Sequence, residues 1–466
     1  MLAAQLAALP DGDPEGVQEA LALVNGLDDA LVHGLARLSA ERAEAPAALA
    51  AALAGTPLGE RLAESSEKVA SGSVADEHLT ALAGGRAALL GAVHDALLAD
   101  LDAALGRERA PWQAAPEPEA DGAAHLLGGA RSWLRELAIT GWRGVDHDLV
   151  TAADQITEAL LAVPGRRRLA VLLDGLAAEL RACCPAGTAE RLPVRRWADL
   201  WTRALLLAQD GAPPGAGEPV GTVSGRLLIL GADVHEHATA VQVQVHAVLE
   251  PADGGRARLV RASAAAAKVD TITGPALWKL LHRHRVLLGA LTDRRAVDVT
   301  DLPLLGGGDL VWHDDRAVLG KPADPFTTAR LLLDGALAPA EPPLDRHPVR
   351  IAEPVLVEGY TVTADGSFDL DGTVLAVDTE RLPSCGPLTP ELVAGSTACV
   401  GLVRWDGGRW LLQPLAVQAK VKRQTTAITT GDWALGPTDP KVVKAEARAG
   451  DAVAVLRERA GRLLRR

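Results

Sequence analysis

Along residues 1–208 the apolar positions recur at three- and four-residue steps. Leu90, Val93, Leu97, Leu101 and Leu105, within Leu82–Leu105, form such a stripe, which predicts an amphipathic helix. Ser73-Val74-Ala75-Asp76 ahead of it reads as a capping box, Ser accepting an orphan amide and Asp suiting the positive helix end. Arg166–Cys184 repeats the spacing through Leu169, Leu172, Leu173, Leu176 and Leu180, and Pro185 stops it. Pro193–Gln209 begins with a proline near its first turn and aligns Trp197, Trp201 and Leu205, a stripe expected in a core or a helix–helix seam.

After residue 222 the period becomes two. Val241, Val243, Val245, Ala247 and Leu249 alternate with Gln242, Gln244, His246 and Val248 over Ala240–Glu250, the pattern of a half-buried strand. Arg226–Leu230 and Arg256–Val260 complete a meander. Further strands are expected at Val297–Thr300, Leu310–Trp312, Val355–Val362, Thr373–Asp378, Ala398–Arg404 and Arg409–Leu415. Trp405-Asp406-Gly407-Gly408 is hairpin-turn chemistry. Pro275–Arg285 reads as one helix, Asp324–Gly335 as a short one, and Pro440–Arg466 as a C-terminal helix broken near Gly450.

Two composition breaks divide the chain: the Pro/acidic stretch Arg109–Gly122 and the Pro/Gly stretch Asp210–Gly221. The expected organisation is a helical bundle or loose helical array over 1–208, with a sub-boundary near 109–122. A linker over 209–221 follows, then a β-meander with helices over 222–336, and a β-rich module with a C-terminal helix over 349–466. The expected fold class is α+β with segregated halves, the β half holding barrel-like units.

Composition sharpens this picture at three points. The chain has 466 residues, 48% hydrophobic, yet no apolar run approaches the roughly 20 residues of a membrane span. The start, Met1-Leu2-Ala3-Ala4-Gln5, lacks the basic-then-apolar pattern of a signal peptide, and Cys183, Cys184, Cys385 and Cys399 include no C-x-x-C pair. A reduced, cytoplasmic protein without a membrane partner is expected. The net charge of −13 is uneven: residues 1–216 hold 18 Lys+Arg against 30 Asp+Glu, and residues 217–466 hold 29 against 30. An acidic first half disfavours contact with a phosphate backbone.

Candidate chemistry is sparse. Asp369-Leu370-Asp371-Gly372-Thr373 resembles the nucleophile motif of the haloacid dehalogenase-type phosphatases. The resemblance implies a metal-dependent phosphatase in which Asp369 attacks phosphorus and Asp371 acts as acid and base. Ser396, Lys420 or Lys422, and Asp432 with Asp439 would be its further motif residues. That chemistry requires a buried apolar strand ending at the edge of a parallel sheet. Thr361–Phe368 is instead alternating and polar, Asp365-Gly366 is itself a turn signal, and only 93 residues follow Thr373. A short antiparallel meander with both aspartates toward water is the expectation.

His235 and His237 share one face of an extended segment, and His246 lies on the polar face of the next predicted strand, so a divalent metal is conceivable chemistry there. No further ligand is identifiable, and solvated or hydrogen-bonded histidines are expected. Asp148 or Thr151 is expected to cap the helical run Leu149–Leu161. Gly306-Gly307-Gly308 lacks the Lys-Ser/Thr of a phosphate loop. Lys420-Val421-Lys422-Arg423, near Trp410 and Trp433, is a basic strand that could grip single-stranded nucleic acid or simply protect a sheet edge.

The stretches "RRWADLWTRALLL", "VHEHATAVQVQVHAVLE", "AAKVDTITGPALW" and "LDRHPVRIAEPVLVEGY" together resemble a group of proteins from high-GC bacteria. These are encoded beside MoxR-type AAA+ ATPases and von Willebrand A-domain proteins. The resemblance implies an accessory subunit with those two partners and carries over no functional residue. The expectation is a non-catalytic interaction or scaffold protein, with no catalytic, cofactor or metal residue assigned. The phosphatase and a nucleic-acid-binding β module are the alternatives.

Overall fold

Helix-favouring alanine and leucine fill the first part of the chain, and the elements follow from them. The computed structural model describes residues 3–9, 14–113, 124–210, 219–237, 239–421 and 423–463. Its helices are α1 (Ala3–Ala7), α2 (Val17–His33), α3 (Ala40–Ala52), α4 (Gly59–Ala70), α5 (Asp76–Leu105), α6 (Ala124–Thr140), α7 (His147–Leu161), α8 (Arg167–Cys183) and α9 (Val194–Leu207). The strand β1 (Arg109–Ala110) lies between α5 and α6. Most of the two predicted linkers falls in 114–123 and 211–218, outside the described residues.

The predicted tryptophan stripe is core. Trp197 and Trp201 are fully buried, and Trp142 meets Trp197 edge-on with ring centroids 6.1 Å apart. Each indole N–H of α9 finds an acceptor, Trp201 on the Leu134 carbonyl and Trp197 on Glu179. Two capping expectations are corrected. Ala75 occupies the cap position of α5 without a side-chain bond, so Ser73 does not cap it. Asp146, not Asp148, caps α7 by accepting from the Leu149 amide, while Thr151 donates its hydroxyl to the His147 carbonyl.

α5 has 30 residues, about 45 Å at 1.5 Å per residue, and it buries side chains in two different cores. Leu79, Leu82 and Leu90 pack inside the helical bundle. Val93, Leu97, Leu98, Leu101 and Leu105 pack against strands near the C-terminus. Burial of a leucine side chain contributes about 1.5–3 kcal/mol, so this helix ties the two halves together by side-chain packing.

The β half begins with β2 (Pro219–Glu236), β3 (Ala240–Pro251) and β4 (Arg258–Ala267). Helices α10 (Ala276–Leu280) and α11 (Arg285–Asp293) lead to β5 (Arg295–Leu305) and β6 (Asp309–Leu310). The single helix expected over Pro275–Arg285 is therefore two, broken where His284 leaves helical geometry. β2 pairs with β3, β3 with β4, β4 in parallel with β6, β6 with β5, and β5 back with β2. The ring closes because β2 bends near Gly225, which faces Val299 on one side and Pro251 on the other. β7 (Ala317–Pro322) pairs with β5 outside the ring.

A connector follows: α12 (Pro325–Thr328), a π-helical turn at Ala329–Leu333, and β8 (Ala338–Pro339), which pairs in parallel with β1. The chain then repeats the first topology. β9 (Ala352–Glu358) and β10 (Thr361–Val362) form one strand bent at Gly359-Tyr360. β11 (Phe368–Leu370), β12 (Thr373–Val377), helix α13 (Pro390–Ala394), β13 (Ser396–Asp406) and β14 (Arg409–Val421) follow. β10 pairs with β11, β11 with β12, β12 in parallel with β14, β14 with β13, and β13 with β9. β15 (Gln424–Thr429) pairs with the far half of β14. Helices α14 (Pro440–Ala449) and α15 (Ala452–Leu463) end the described chain.

Both rings run first–second–third–fifth–fourth–first, with a parallel third–fifth contact and helical structure between third and fourth strands. This is the connectivity of a five-stranded Greek-key barrel of the OB type, present twice. The fold class is α+β with helices concentrated in the N-terminal half.

Candidate functional site

The Asp369–Thr373 stretch is the turn of the β11–β12 hairpin. Asp371 and Gly372 have φ of 53° and 93°, the left-handed pair that a two-residue primed turn requires and that glycine supplies without strain. Asp369 accepts the Gly372 amide at 2.7 Å, so its carboxylate closes the turn. Phe368 and Leu370 point inward, with Phe368 stacked on Tyr360 at 3.7 Å, while Asp371 faces solvent. The strand is antiparallel to both neighbours. The other motif residues lie on separate elements. Ser396 is buried, bonded to the Tyr360 hydroxyl and the Val393 carbonyl. Asp432 accepts from Thr429, Asp439 caps α14, and Lys420 stands near the end of β14. Lys422 lies outside the described residues.

The three histidines do not converge either. His246 faces Gly231 across the β2–β3 ladder, and His235 faces Gln242, four residues along each strand. At about 3.3 Å per residue that separates them by roughly 13 Å. His235 bonds Asp233 at 3.0 Å, and His237 is exposed. His246 is not on a solvated face as its alternation suggested: it is 2% exposed, because the second barrel packs over it. Burial pushes its imidazole down to about 3. Among the described residues no group of His, Cys, Asp and Glu is arranged to hold a metal.

The strongly perturbed charges sit at the seams between units. Asp233 of β2 receives Arg404 of β13, Gln413 of β14 at 2.8 Å, and His235. Burial would raise its pKa, but the His235 bond, the Arg404 charge and Gln413 together hold it well below the usual carboxylate range. Glu353 of β9 pairs with Arg107 at 3.2 Å and Arg109 at 3.4 Å, joining the second barrel to the segment after α5. Arg261 of β4 holds Asp309 and Glu341, each at 2.7 Å. Asp345 of the connector takes Arg168 at 2.9 Å and Arg203 at 3.0 Å from the helical bundle. A cavity of about 30 Å³ remains among His246, Arg261, Glu341 and Glu353, room for a water or two. Burial pushes the Cys385 thiol up to about 12 and the Cys399 thiol higher still, so neither is an activated nucleophile.

The sequence marks such residues only as a lone charge inside an apolar run: Asp233 in "LLILGADV" and Arg404 in "CVGLVRWD" at the seam, and Arg86 in "GGRAALLG" within the bundle. Arg86, fully buried, bonds Asp28 at 2.7 Å inside the bundle.

The surfaces with which OB barrels usually bind are engaged or acidic. The outer face of β2–β4 in the first barrel packs Leu230, Val248 and Leu259 against Ala398, Val400 and Ala416 of the second. The β10–β12 side of the second barrel carries Asp365, Asp369, Asp371 and Asp378, an unfavourable setting for phosphates. Of the Lys420–Arg423 stretch, Val421 pairs Gln424 where β14 meets β15, and Arg423 adopts φ 71°.

A groove of about 470 Å³ lies between α10, α11, β7, the Ala434–Pro437 turn and α14. Trp278, Leu288, Leu319 and Leu435 line it, and Lys279, His282 and Arg285 stand at one end. Lys279 pairs with Asp451 at 3.2 Å, and Arg457 of α15 reaches the Lys279 carbonyl and His282. Comparison with protein-family models, curated proteins and solved structures finds no match to this chain.

Proposed function

We propose that the chain is a non-catalytic assembly subunit: a rigid block that presents protein-docking surfaces within a multi-protein bacterial system. The observation that carries this reading is the use of its buried charges. Asp233–Arg404, Glu353–Arg107/Arg109, Arg261–Glu341 and Asp345–Arg168/Arg203 each hold one unit or connector against another. Such pairs fix relative orientation, a use expected of a scaffold and not of a catalytic cleft. The helical array, the two barrels and the connector then form one body whose remaining free surfaces are available to partners. No helix among the described residues is long and apolar enough to cross a membrane. A cytoplasmic setting accords with the four free cysteines.

The partners proposed are a MoxR-type AAA+ ATPase and a von Willebrand A-domain protein, on the resemblance of the four quoted stretches. Affinity purification of the tagged chain at native abundance, read by mass spectrometry and size-exclusion chromatography, tests both points. Co-elution with those two proteins in fixed proportion is the expected result. Elution alone, with a bound phosphate ester or metal that turns over, overturns the reading.

A further inference from the structure

The groove beside α11 carries charges that its own helix does not favour. Arg285 is the first residue of α11 and Asp293 the last, so each lies at the helix end of like sign. Both are exposed, and neither has an ion-pair partner among the described residues. A local rule broken twice on one element, on either side of an apolar floor, points to a role outside the helix itself. One of the large apolar side chains left in solvent, Leu435 (60% exposed), stands in this groove. α14 is amphipathic yet half-buries only Val442 and Glu446 among its described side chains, so it walls the groove without filling it. The volume of about 470 Å³ falls in the range of formed binding sites, about 300–1,000 Å³.

We infer that this groove receives one amphipathic helix of a partner protein, laid alongside α11 with its apolar stripe on Leu288, Leu319 and Leu435. Charge complementarity sets its direction. Arg285 and Asp293 are eight residues apart, about 12 Å along the axis. A guest helix parallel to α11 brings an Asp or Glu of its first turn to Arg285 and a Lys or Arg of its last turn to Asp293. Those are also the helix ends at which such charges are stabilising in the guest. An antiparallel guest would need each charge at its own unfavourable end. The inference rests on the assembly reading only in requiring a protein partner, and its test needs no knowledge of which one.

The probe is a stapled, fluorescein-labelled helix of about 14 residues with leucines at helical spacing, Glu in its first turn and Lys eight positions later. Fluorescence anisotropy with the full chain is expected to show saturable binding. Arg285→Glu should weaken it roughly tenfold, and a peptide with only its first-turn Glu exchanged for Lys should recover that loss. Leu435→Asp should abolish binding while leaving the thermal midpoint unchanged, because both altered side chains are exposed. The proposal is overturned by any of three results: no saturable binding up to about 1 mM, equal affinity of the wild-type chain for the exchanged peptide, or indifference to Arg285→Glu. Failure here with successful co-purification of the ATPase would remove the groove and keep the scaffold.

Discussion

The guanidinium of Arg404 leaves the second barrel and closes on the carboxylate of Asp233 in the first, with Gln413 bonded to both. Arg404 and Asp233 are 8% and 3% exposed, so each needs the other's charge to offset lost water. Removing one partner strands a buried charge. Arg404→Ala is expected to destabilise the chain by about 3–5 kcal/mol in urea denaturation. The double variant Arg404→Met/Asp233→Leu should recover much of that loss. Equal damage from the single and double variants would show that packing, not charge, holds the seam.

Gly231 faces the same seam. A β-carbon there would stand 2.6 Å from Cβ of Leu415, the residue at which β14 bulges. Gly231→Ala should therefore cost about 1–3 kcal/mol by overpacking. Adding Leu415→Ala opens the space and should make the glycine replacement far less damaging, as thermal melts can read.

Acid should loosen the molecule well above the carboxylate range. Burial lowers His246 to about 3 and His347 to about 4, both below the ordinary 6.5. The unfolded chain therefore binds protons that the folded chain refuses, and stability rises with pH up to about 6.5 and is level above it. Each histidine contributes a slope of up to roughly 1.4 kcal/mol per pH unit in that window. Asp233, held low by its partners, adds a further loss only below 3.8. His246→Leu should remove one histidine's share of the slope in urea midpoints taken between about pH 4 and pH 7.

The hairpin reading of Asp369 separates cleanly from a catalytic one. Asp369→Ala loses the bond to the Gly372 amide and should cost about 0.5–1.5 kcal/mol, whereas Asp369→Asn keeps an acceptor and should stay close to wild type. Hydrolysis of p-nitrophenyl phosphate with Mg²⁺ is expected from none of the three proteins. Turnover by the wild type that Asp369→Asn abolishes would reinstate the nucleophile.

Much of the secondary structure was legible because it is local. The leucine stripe of α5, the tryptophans of α9, the alternation of β3 and the glycine turns at Asp371-Gly372 and Gly407-Gly408 all follow from spacing within one element. The break at His284 was not legible, since no proline or glycine marks it between α10 and α11. Nor was the burial of His246: its alternation assigned it to an outer face correctly, but an outer face of one barrel became the inner side of a seam.

By itself, then, the sequence determined segregated helical and β halves, the hairpin nature of Asp369–Thr373 and the absence of a transmembrane-length apolar run. Only the tertiary structure decided that the strands close into two rings of one topology and that lone charges such as Asp233, Arg404 and Glu353 lock them together. The physical reason is range. A helix stripe or strand alternation is written within about ten residues, whereas ring closure pairs Gly225 with Val299 and the seam pairs Asp233 with Arg404, contacts with no period for a sequence to display.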